Sequence, residues 1–160
     1  MEKKEVSEPL QLIRKVKRDG NSIYVMGNGG SSALASHFVC DLMKVGGCRA
    51  FDLSCNAAVM TAYANDMGFE NVFVEQLKVL ARKGDLIIVI SGSGNSPNVV
   101  KAVEWARDNG IDTLGLIGFD GRKLKSILDY SIHVSVDTMA EVENVHLTIA
   151  HIISEMVSDD

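Results

Sequence analysis

Twice in this chain a short apolar segment runs directly into a loop of glycine and serine and then into a helical pattern. Residues 22–26 lead into Gly27-Asn28-Gly29-Gly30-Ser31-Ser32, and residues 85–90 lead into Ser91-Gly92-Ser93-Gly94-Asn95-Ser96-Pro97. A continuous apolar strand is typical of a parallel sheet that is covered on both faces. Strands that alternate with helices predict an α/β fold. We therefore expect a three-layer, doubly wound domain with about five parallel strands.

The other patterns along the chain continue this alternation. A turn at Asp19-Gly20-Asn21 separates an amphipathic helix, predicted over residues 5–18, from the first strand. Further strands are predicted at 48–53, 112–117 and 130–136, and further helices at 32–45, 57–65, 69–82, 97–109 and 138–157. The length of 160 residues is that of one domain. We predict a single domain over 1–160, with a short N-terminal helix in 1–20 and the sheet and its helices in 21–160.

Composition excludes several classes of protein. The sequence is 46% hydrophobic and 23% charged, as in ordinary soluble globular proteins. A net charge of −5 argues against a nucleic-acid partner. The most continuous apolar run, residues 86–90, is too short to cross a bilayer, and the first residues do not resemble a signal peptide. We therefore expect no membrane partner. Cys40, Cys48 and Cys55 show no Cys-x-x-Cys spacing, so we expect reduced thiols in a cytoplasmic protein.

The two glycine–serine loops predict a site for an anion. Ligands of open parallel sheets bind beyond the carboxyl ends of the strands, where both loops lie. Glycine lets the backbone approach the ligand, while helix N-termini and hydroxyls supply donors. One such loop is equally well explained as a tight turn, but two in one small sheet favour an anion site. The candidate hydroxyls are those of Ser31, Ser32, Ser91, Ser93 and Ser96.

The nature of the anion follows from what the loops lack. Ser32 stands where a dinucleotide fingerprint requires its third glycine, and no Walker lysine follows either loop. Asp52 lies at about the right distance for a ribose contact, but a turn at the end of a strand explains it equally well. Neutral donors without a lysine suit a monophosphate better than a triphosphate.

Two pairs of histidines and carboxylates lie on helices near these loops. His37 and Asp41 are spaced i, i+4 on the helix that starts at the first loop, so they share a face. Glu143 and His151 lie eight residues apart on the last helix, about 80° apart around its axis. These four could bind a divalent metal or transfer protons. A surface pair and a solvated glutamate are the plainer explanations. The remaining two histidines are predicted to be structural or exposed: His133 and His146.

Four segments together resemble a known family. Residues 27–38 (GNGGSSALASHF), 65–69 (NDMGF), 91–102 (SGSGNSPNVVKA) and 143–151 (ENVHLTIAH) resemble, in this order, motifs of sugar isomerase (SIS) domains in the phosphoheptose isomerase subfamily. The resemblance runs from about residue 22 to the C-terminus. It implies a sheet with flavodoxin-like strand order and an aldose–ketose isomerase that converts sedoheptulose 7-phosphate to D-glycero-D-manno-heptose 7-phosphate. It also implies a homotetramer with active sites between subunits, and a divalent metal, zinc, one per subunit.

The resemblance also implies roles for individual residues. The phosphate ligands would be Ser91, Gly92, Ser93 and Ser96, and further substrate contacts would come from Asn28, Gly29, Gly30, Ser31, Asn65, Asp66 and Glu143. The metal ligands would be His37, Asp41, Glu143 and His151. Asp41 takes the place of the base that removes the C2 proton, and His151 that of the histidine that handles the second proton.

The chain departs from the family pattern in three ways. Asp41 is one methylene shorter than the usual glutamate, and Glu143 adds a charge where a glutamine is usual. Our hypothesis is that these two changes are coupled and favour an obligatory metal. In addition, only about 18 residues precede the first strand, so a dimer is an alternative to the tetramer.

Two further functions remain open from the sequence. One is a non-catalytic SIS protein that binds or senses a sugar phosphate, and the other is an isomerase of a different phosphosugar. His151 favours an enzyme, because sensor relatives tend to lack this histidine, whereas the shortened Asp41 favours a sensor.

Overall fold

Five parallel strands form one sheet in the computed structural model, which describes residues 3–158, with side chains from residue 7 onward. The strands are β1 (Ser22–Gly27), β2 (Arg49–Asp52), β3 (Leu86–Ser91), β4 (Asp112–Gly118) and β5 (Tyr130–Val134). Their order across the sheet is β2-β1-β3-β4-β5, and every neighbouring pair is parallel. The predicted α/β fold with five parallel strands is confirmed.

Helices cover both faces of this sheet. They are α1 (Lys3–Arg18), α2 (Gly30–Lys44), α3 (Ala57–Met67), α4 (Val72–Leu80), α5 (Pro97–Asp108), α6 (Arg122–Ile127) and α7 (Met139–Ser158). One apolar core joins α1, α2 and α7 to the sheet, and a second joins α4, α5 and α6 to its opposite face. The predicted three layers are therefore present. No helix in the described part of the chain is both long enough and apolar enough to span a membrane.

The sequence of the central strand β3 is apolar throughout because both faces of the strand are covered. Leu86, Ile88 and Ile90 belong to the first core, whereas Ile87 and Val89 belong to the second. All five are at most 1% exposed. Because successive side chains of a strand point to opposite faces, a strand between two helical layers must be apolar at every position.

Two segments differ from the sequence-based expectation. The short helix α6 was not predicted, because only Leu124 of its six residues is buried and no apolar periodicity marks it. The helix predicted over 69–82 is instead a 3₁₀ turn, Phe69–Asn71, followed by α4. Lys101 of α5 donates a hydrogen bond to Asn71 Oδ1 at 3.1 Å. This bond ties the turn to the neighbouring helix.

The strand order places a crevice between the loops that follow β1 and β3. The chain leaves β1 towards β2 at one edge of the sheet, whereas β3 leads towards β4 on the other side. The two connections diverge above the neighbouring pair of strands, and such a switch point is where open α/β sheets bind ligands. As predicted, Pro97 opens the following helix α5, with Ser96 as its N-cap. Both glycine–serine loops therefore begin at this crevice.

The loop after β3 also packs against the turn that follows β4. Gly94 has a φ of +64°, and a Cβ atom there would collide with the carbonyl oxygen of Gly121. The backbone N–H of Leu124 donates to the carbonyl of Gly94 at 3.0 Å. Helix α6 thereby holds the β3 loop on the side away from β1.

Candidate functional site

A cavity of about 230 Å³ opens between the two glycine–serine loops. It lies at the carboxyl ends of β1 and β3 and contains most of the hydroxyls that were expected to bind an anion. Its lining consists of Asn28, Ser31, Ile90, Ser91, Gly92, Ser93, Ser96, Met139 and Glu143. Within the described residues, this lining includes no lysine or arginine. The donors that this chain itself offers here are hydroxyls, amides and backbone N–H groups.

Two helix N-termini supply those donors. Helix α2 begins at Gly30 behind an N-cap glycine, and α5 begins at Pro97 behind Ser96. Neither helix has a side-chain hydrogen bond at its cap among the residues described. The first N–H groups of a helix lack partners within the helix and carry its positive dipole end. The loop itself is shaped by Ser91, whose Oγ accepts from the backbone N–H of Gly94 at 3.1 Å.

A cluster of two histidines and an aspartate lies where α2 packs against α7. Nε2 of His37 lies 2.7 Å from Nε2 of His151, and Oδ2 of Asp41 lies 3.3 and 3.7 Å from these two nitrogens. The three ligand atoms all lie within 4.8 Å of one another. Two imidazole nitrogens and one carboxylate oxygen are a donor set that suits zinc. Both rings are half exposed, at 47%, so a substrate could approach this group.

Glu143 lies between the serine-lined cavity and the histidine pair. It lines the cavity and also a groove that contains His37 and His151. Its carboxylate rests against Gly30, where a Cβ atom would collide with it. A carboxylate at the first residue of α2 interacts favourably with the dipole of that helix. The structure thus brings three of the four expected metal ligands together and places Glu143 beside the start of α2.

Two of the expected sugar contacts are not brought to this site within one chain. Asn65 and Asp66 are exposed near the end of α3, where Asn65 Nδ2 donates to Asp66 Oδ1 at 2.8 Å. Neither residue lines the serine cavity or the groove beside the histidines. Helix α3 contains no buried residue in the described structure.

Asp52 serves the turn at the end of β2. Its Oδ1 accepts from the backbone N–H of Ser54 at 2.7 Å, and its Oδ2 accepts from the hydroxyl of Ser36 on α2. Ser54 in turn donates to the carbonyl of Gly27 at 3.2 Å. These contacts support the turn explanation of Asp52 rather than a ribose contact.

Asn98, in the first turn of α5, was not among the predicted site residues. This residue is 1% exposed, and its side chain exchanges two hydrogen bonds of 2.9 Å with that of Asn28. Only its position directly after a helix-opening proline in a glycine–serine loop could have drawn attention to it. A partner 70 residues away leaves no local pattern.

The two remaining histidines have different environments. His133 is half-buried, and its Nε2 lies 2.8 Å from the carbonyl of Phe119. His146 of α7 is 0% exposed, and neither of its ring nitrogens has a hydrogen-bond partner in the described part of the chain. Burial lowers the pKa of His146 below its ordinary value of 6.5, and the nearby backbone of Ile117 opposes this shift. The expectation that these histidines are structural or exposed fits both positions.

His146 predicts a loss of stability in mild acid. The folded protein excludes a proton that the unfolded chain binds, so the unfolded state binds more protons below pH 6.5. The free energy of unfolding should therefore fall as the pH decreases from 6.5 towards the lowered pKa of His146. In His146→Leu this part of the pH dependence should be absent, as denaturant unfolding at several pH values would measure. A His133→Leu control should keep it, and equal slopes for His146→Leu and the parent would contradict the prediction.

The sequence and the fold are similar to those of known proteins. Residues 2–118 match the model of the SIS domain family. The phosphoheptose isomerase of Geotalea daltonii is 39% identical in an alignment of 157 positions that covers 95% of this chain and 82% of the relative. That of Pelobacter propionicus is 42% identical in an alignment of 153 positions that covers 92% of this chain and 80% of the relative. The solved phosphoheptose isomerase of Neisseria gonorrhoeae superposes with a TM-score of 0.94 at 30% identity, covering 99% of this chain and 87% of that one. The chain therefore belongs to the phosphoheptose isomerase family of SIS-domain proteins.

Proposed function

We propose that this protein is an aldose–ketose isomerase that interconverts sedoheptulose 7-phosphate and D-glycero-D-manno-heptose 7-phosphate. The observation that carries the proposal is the placement of a serine-lined cavity, with no lysine or arginine in its described lining, beside a His–Asp–His cluster, with Glu143 lining both. In an open-chain heptose phosphate, the phosphate on C7 and the reactive carbons C1 and C2 are at opposite ends. A site for this reaction needs two separate regions, and the serine-lined cavity and the histidine cluster would be those regions.

The phosphate is proposed to bind in the serine-lined cavity. The hydroxyls of Ser93 and Ser96 and the backbone N–H of Asn98 at the start of α5 would donate to its oxygens, with Ser91 and Gly92 shaping the loop. Asn28, Gly29, Gly30 and Ser31 would contact the sugar from the first loop. The overall charge of −5 does not oppose this anion, because helix N-termini and hydroxyls bind it without basic side chains.

Proton transfer is proposed to occur at the cluster between α2 and α7. Asp41, 19% exposed, would act as the base that takes a proton from the carbon next to the carbonyl and returns it to the neighbouring carbon. His151, within reach of Asp41, would move the proton between the two sugar oxygens. His37 holds both partners, because its Nε2 contacts His151 at 2.7 Å and Asp41 at 3.3 Å.

The same cluster is proposed to hold one zinc ion per subunit. His37, Asp41 and His151 would be its ligands, and Glu143 would be the fourth after a change of its side-chain position. When bound, a divalent ion stabilises negative charge that develops on the sugar oxygens during isomerisation. The hypothesis that the shortened Asp41 and the added charge of Glu143 are coupled predicts that this ion is obligatory.

A second copy of the chain is proposed to complete the site. Helix α3 has no buried residue, and Met67 and Phe69 near its end are 51% and 55% exposed. Asn65 and Asp66 lie on this helix, away from the cavity of their own chain. Packing of α3 against another subunit would cover the apolar side chains and bring the two polar ones to that subunit's cavity. We propose the homotetramer of the family, with a dimer as the smaller alternative, and a cytoplasmic location that suits the three free thiols.

Turnover of sedoheptulose 7-phosphate tests the proposed reaction. The parent protein should form the aldose, as followed by NMR, while Asp41→Asn and His151→Ala should each lose about 10²-fold or more in kcat. A Glu141→Gln control removes a carboxylate of α7 that lines neither the cavity nor the groove, and it should keep the parent rate. Tight binding of the sugar phosphate without turnover by the parent would instead support a sensor. Equal turnover by parent and variants would refute the assigned roles.

Metal content tests the proposed ion. Protein purified without chelator should contain one divalent ion per chain by elemental analysis, and removal of the ion by EDTA should lower Tm. The variant His37→Asn should lose the ion, and Glu143→Gln should bind it more weakly. His133→Asn should retain it, because His133 lies outside the cluster. A metal-free parent whose Tm and activity ignore EDTA would contradict both the site and its coupling to Glu143.

Mixing of inactive variants tests the shared site. The variants Asp66→Ala and Ser93→Ala should each be inactive when pure. After random mixing in equal amounts, about half of the pairs are mixed and one of the two sites in each mixed pair is intact, so about a quarter of the parent activity should return. A mixture of Asp41→Ala and Ser93→Ala should regain none, since both residues belong to the same chain's site. No recovery in the first mixture, with subunit exchange verified by mass, would show that Asp66 does not act across an interface.

A further inference from the structure

The two loops of the site are joined by one reciprocal pair of side-chain amides. Asn28 Nδ2 donates to Asn98 Oδ1 at 2.9 Å, and Asn98 Nδ2 donates to Asn28 Oδ1 at 2.9 Å. Asn28 belongs to the loop after β1, and Asn98 belongs to the first turn of α5, directly after the loop that follows β3. The pair therefore spans the crevice at the point where the proposed substrate lies.

The two members of the pair differ in their surroundings. Asn98 is 1% exposed and does not line the cavity, and its Oδ1 also accepts from the backbone N–H of Val99 at 3.0 Å. Asn28 is half-buried and does line the cavity. Because the pair uses one N–H of the Asn28 amide, the second N–H remains for a ligand. Asn98 thus acts on the cavity through Asn28.

The β3 loop is held independently on its other side. The backbone of Leu124 donates to the carbonyl of Gly94, and the backbones of Gly94 and Gly121 are in close contact. We therefore expect the β3 loop to stay anchored to α6 when Asn98 is changed. The β1 loop is the part that would move.

We propose that Asn98 is a positioning residue that sets the β1 loop, through Asn28, at the correct distance from the β3 loop. This inference rests on the proposed function, because it concerns recognition of a ligand that touches both loops. Sugar groups beyond the phosphate would be oriented by Asn28, Gly29 and Gly30. The amide pair would then determine how the sugar groups are aligned relative to the phosphate. Inorganic phosphate would contact the β3 loop and α5 and would not need this alignment.

The experiment compares two ligands on matched variants. Binding of inorganic phosphate and of sedoheptulose 7-phosphate is measured by calorimetry, and KM and kcat are measured beside it. The variants are Asn98→Ala, the milder Asn98→Ser, Asn28→Ala and the double variant Asn28→Ala/Asn98→Ala. Asn109→Ala, at the other end of α5, is the control for residue type, and Val103→Ala is the control for loss of stability within the same helix.

A positioning role predicts a difference between the two ligands. In Asn98→Ala the phosphate affinity should stay within about twofold of the parent, while kcat/KM for the sugar phosphate falls between about tenfold and a hundredfold. Asn98→Ser should lie between. The double variant should be no worse than Asn28→Ala, because both changes break the same pair. A parallel loss for both ligands, as expected from general destabilisation in Val103→Ala, would overturn the proposal, and so would unchanged values for both.

A second measurement distinguishes failure of the positioning proposal from failure of the proposed substrate. Side-chain amide signals of Asn28 and backbone signals of residues 27–31 are compared between parent and Asn98→Ala by NMR. These should shift, and the backbone amides should exchange faster with solvent, while the phosphate-induced shifts of residues 92–96 persist. If the parent binds phosphate but not sedoheptulose 7-phosphate, the proposed substrate is wrong, and a shifted β1 loop still supports positioning by Asn98. An unshifted β1 loop overturns it with either ligand.

Discussion

Two helix N-termini that meet above neighbouring parallel strands are the constraint on which the rest of this structure depends. Strands β1 and β3 are hydrogen-bonded neighbours, and each is followed by a loop and then by a helix whose N-cap residue makes no side-chain hydrogen bond to it. The positive dipole ends of α2 and α5 are thereby brought to one cavity. An acidic chain can bind an anion there, because the charge complementarity comes from the backbone rather than from lysine or arginine.

The packing of α2 against α7 converts this anion cavity into a site with two ends. Glu143 of α7 contacts Gly30 at the start of α2, and His151 contacts His37 further along. Seven residues of α2 and eight of α7 separate these contacts, which correspond to about 10 and 12 Å along the two helices. The helices therefore run side by side in the same direction. The proposed phosphate end and the proposed proton-transfer end are thus held apart by two helices instead of by loops.

The sequence predicts best where a local pattern carries the information. The apolar segment 85–90 predicts a strand that is buried on both faces, and the structure confirms it as β3. The i, i+4 spacing of His37 and Asp41 predicts a shared face, and their contact of 3.3 Å agrees. Helix α6 lacks such a pattern and was missed.

Features that depend on packing between distant segments were beyond the sequence. Asn28 and Asn98 are separated by 70 residues, and neither position signals its partner. Glu143 was expected among the metal ligands, but the closeness of Gly30 allows its carboxylate to rest at the start of α2. The exposure of α3 is also a property of the folded chain. Its sequence contains apolar residues such as Met60 and Tyr63, which only half-bury themselves against their own subunit.

The central claim is that one carboxylate at the α2–α7 cluster moves a proton between adjacent carbons of a phosphorylated sugar. Isomerisation of sedoheptulose 7-phosphate in D₂O, followed by NMR, tests it most directly. A base that exchanges its proton with solvent should introduce deuterium at C2 of the aldose, and Asp41→Asn should abolish this incorporation while the sugar phosphate still binds. Deuterium incorporation or aldose formation that persists at the parent rate in Asp41→Asn would contradict the account.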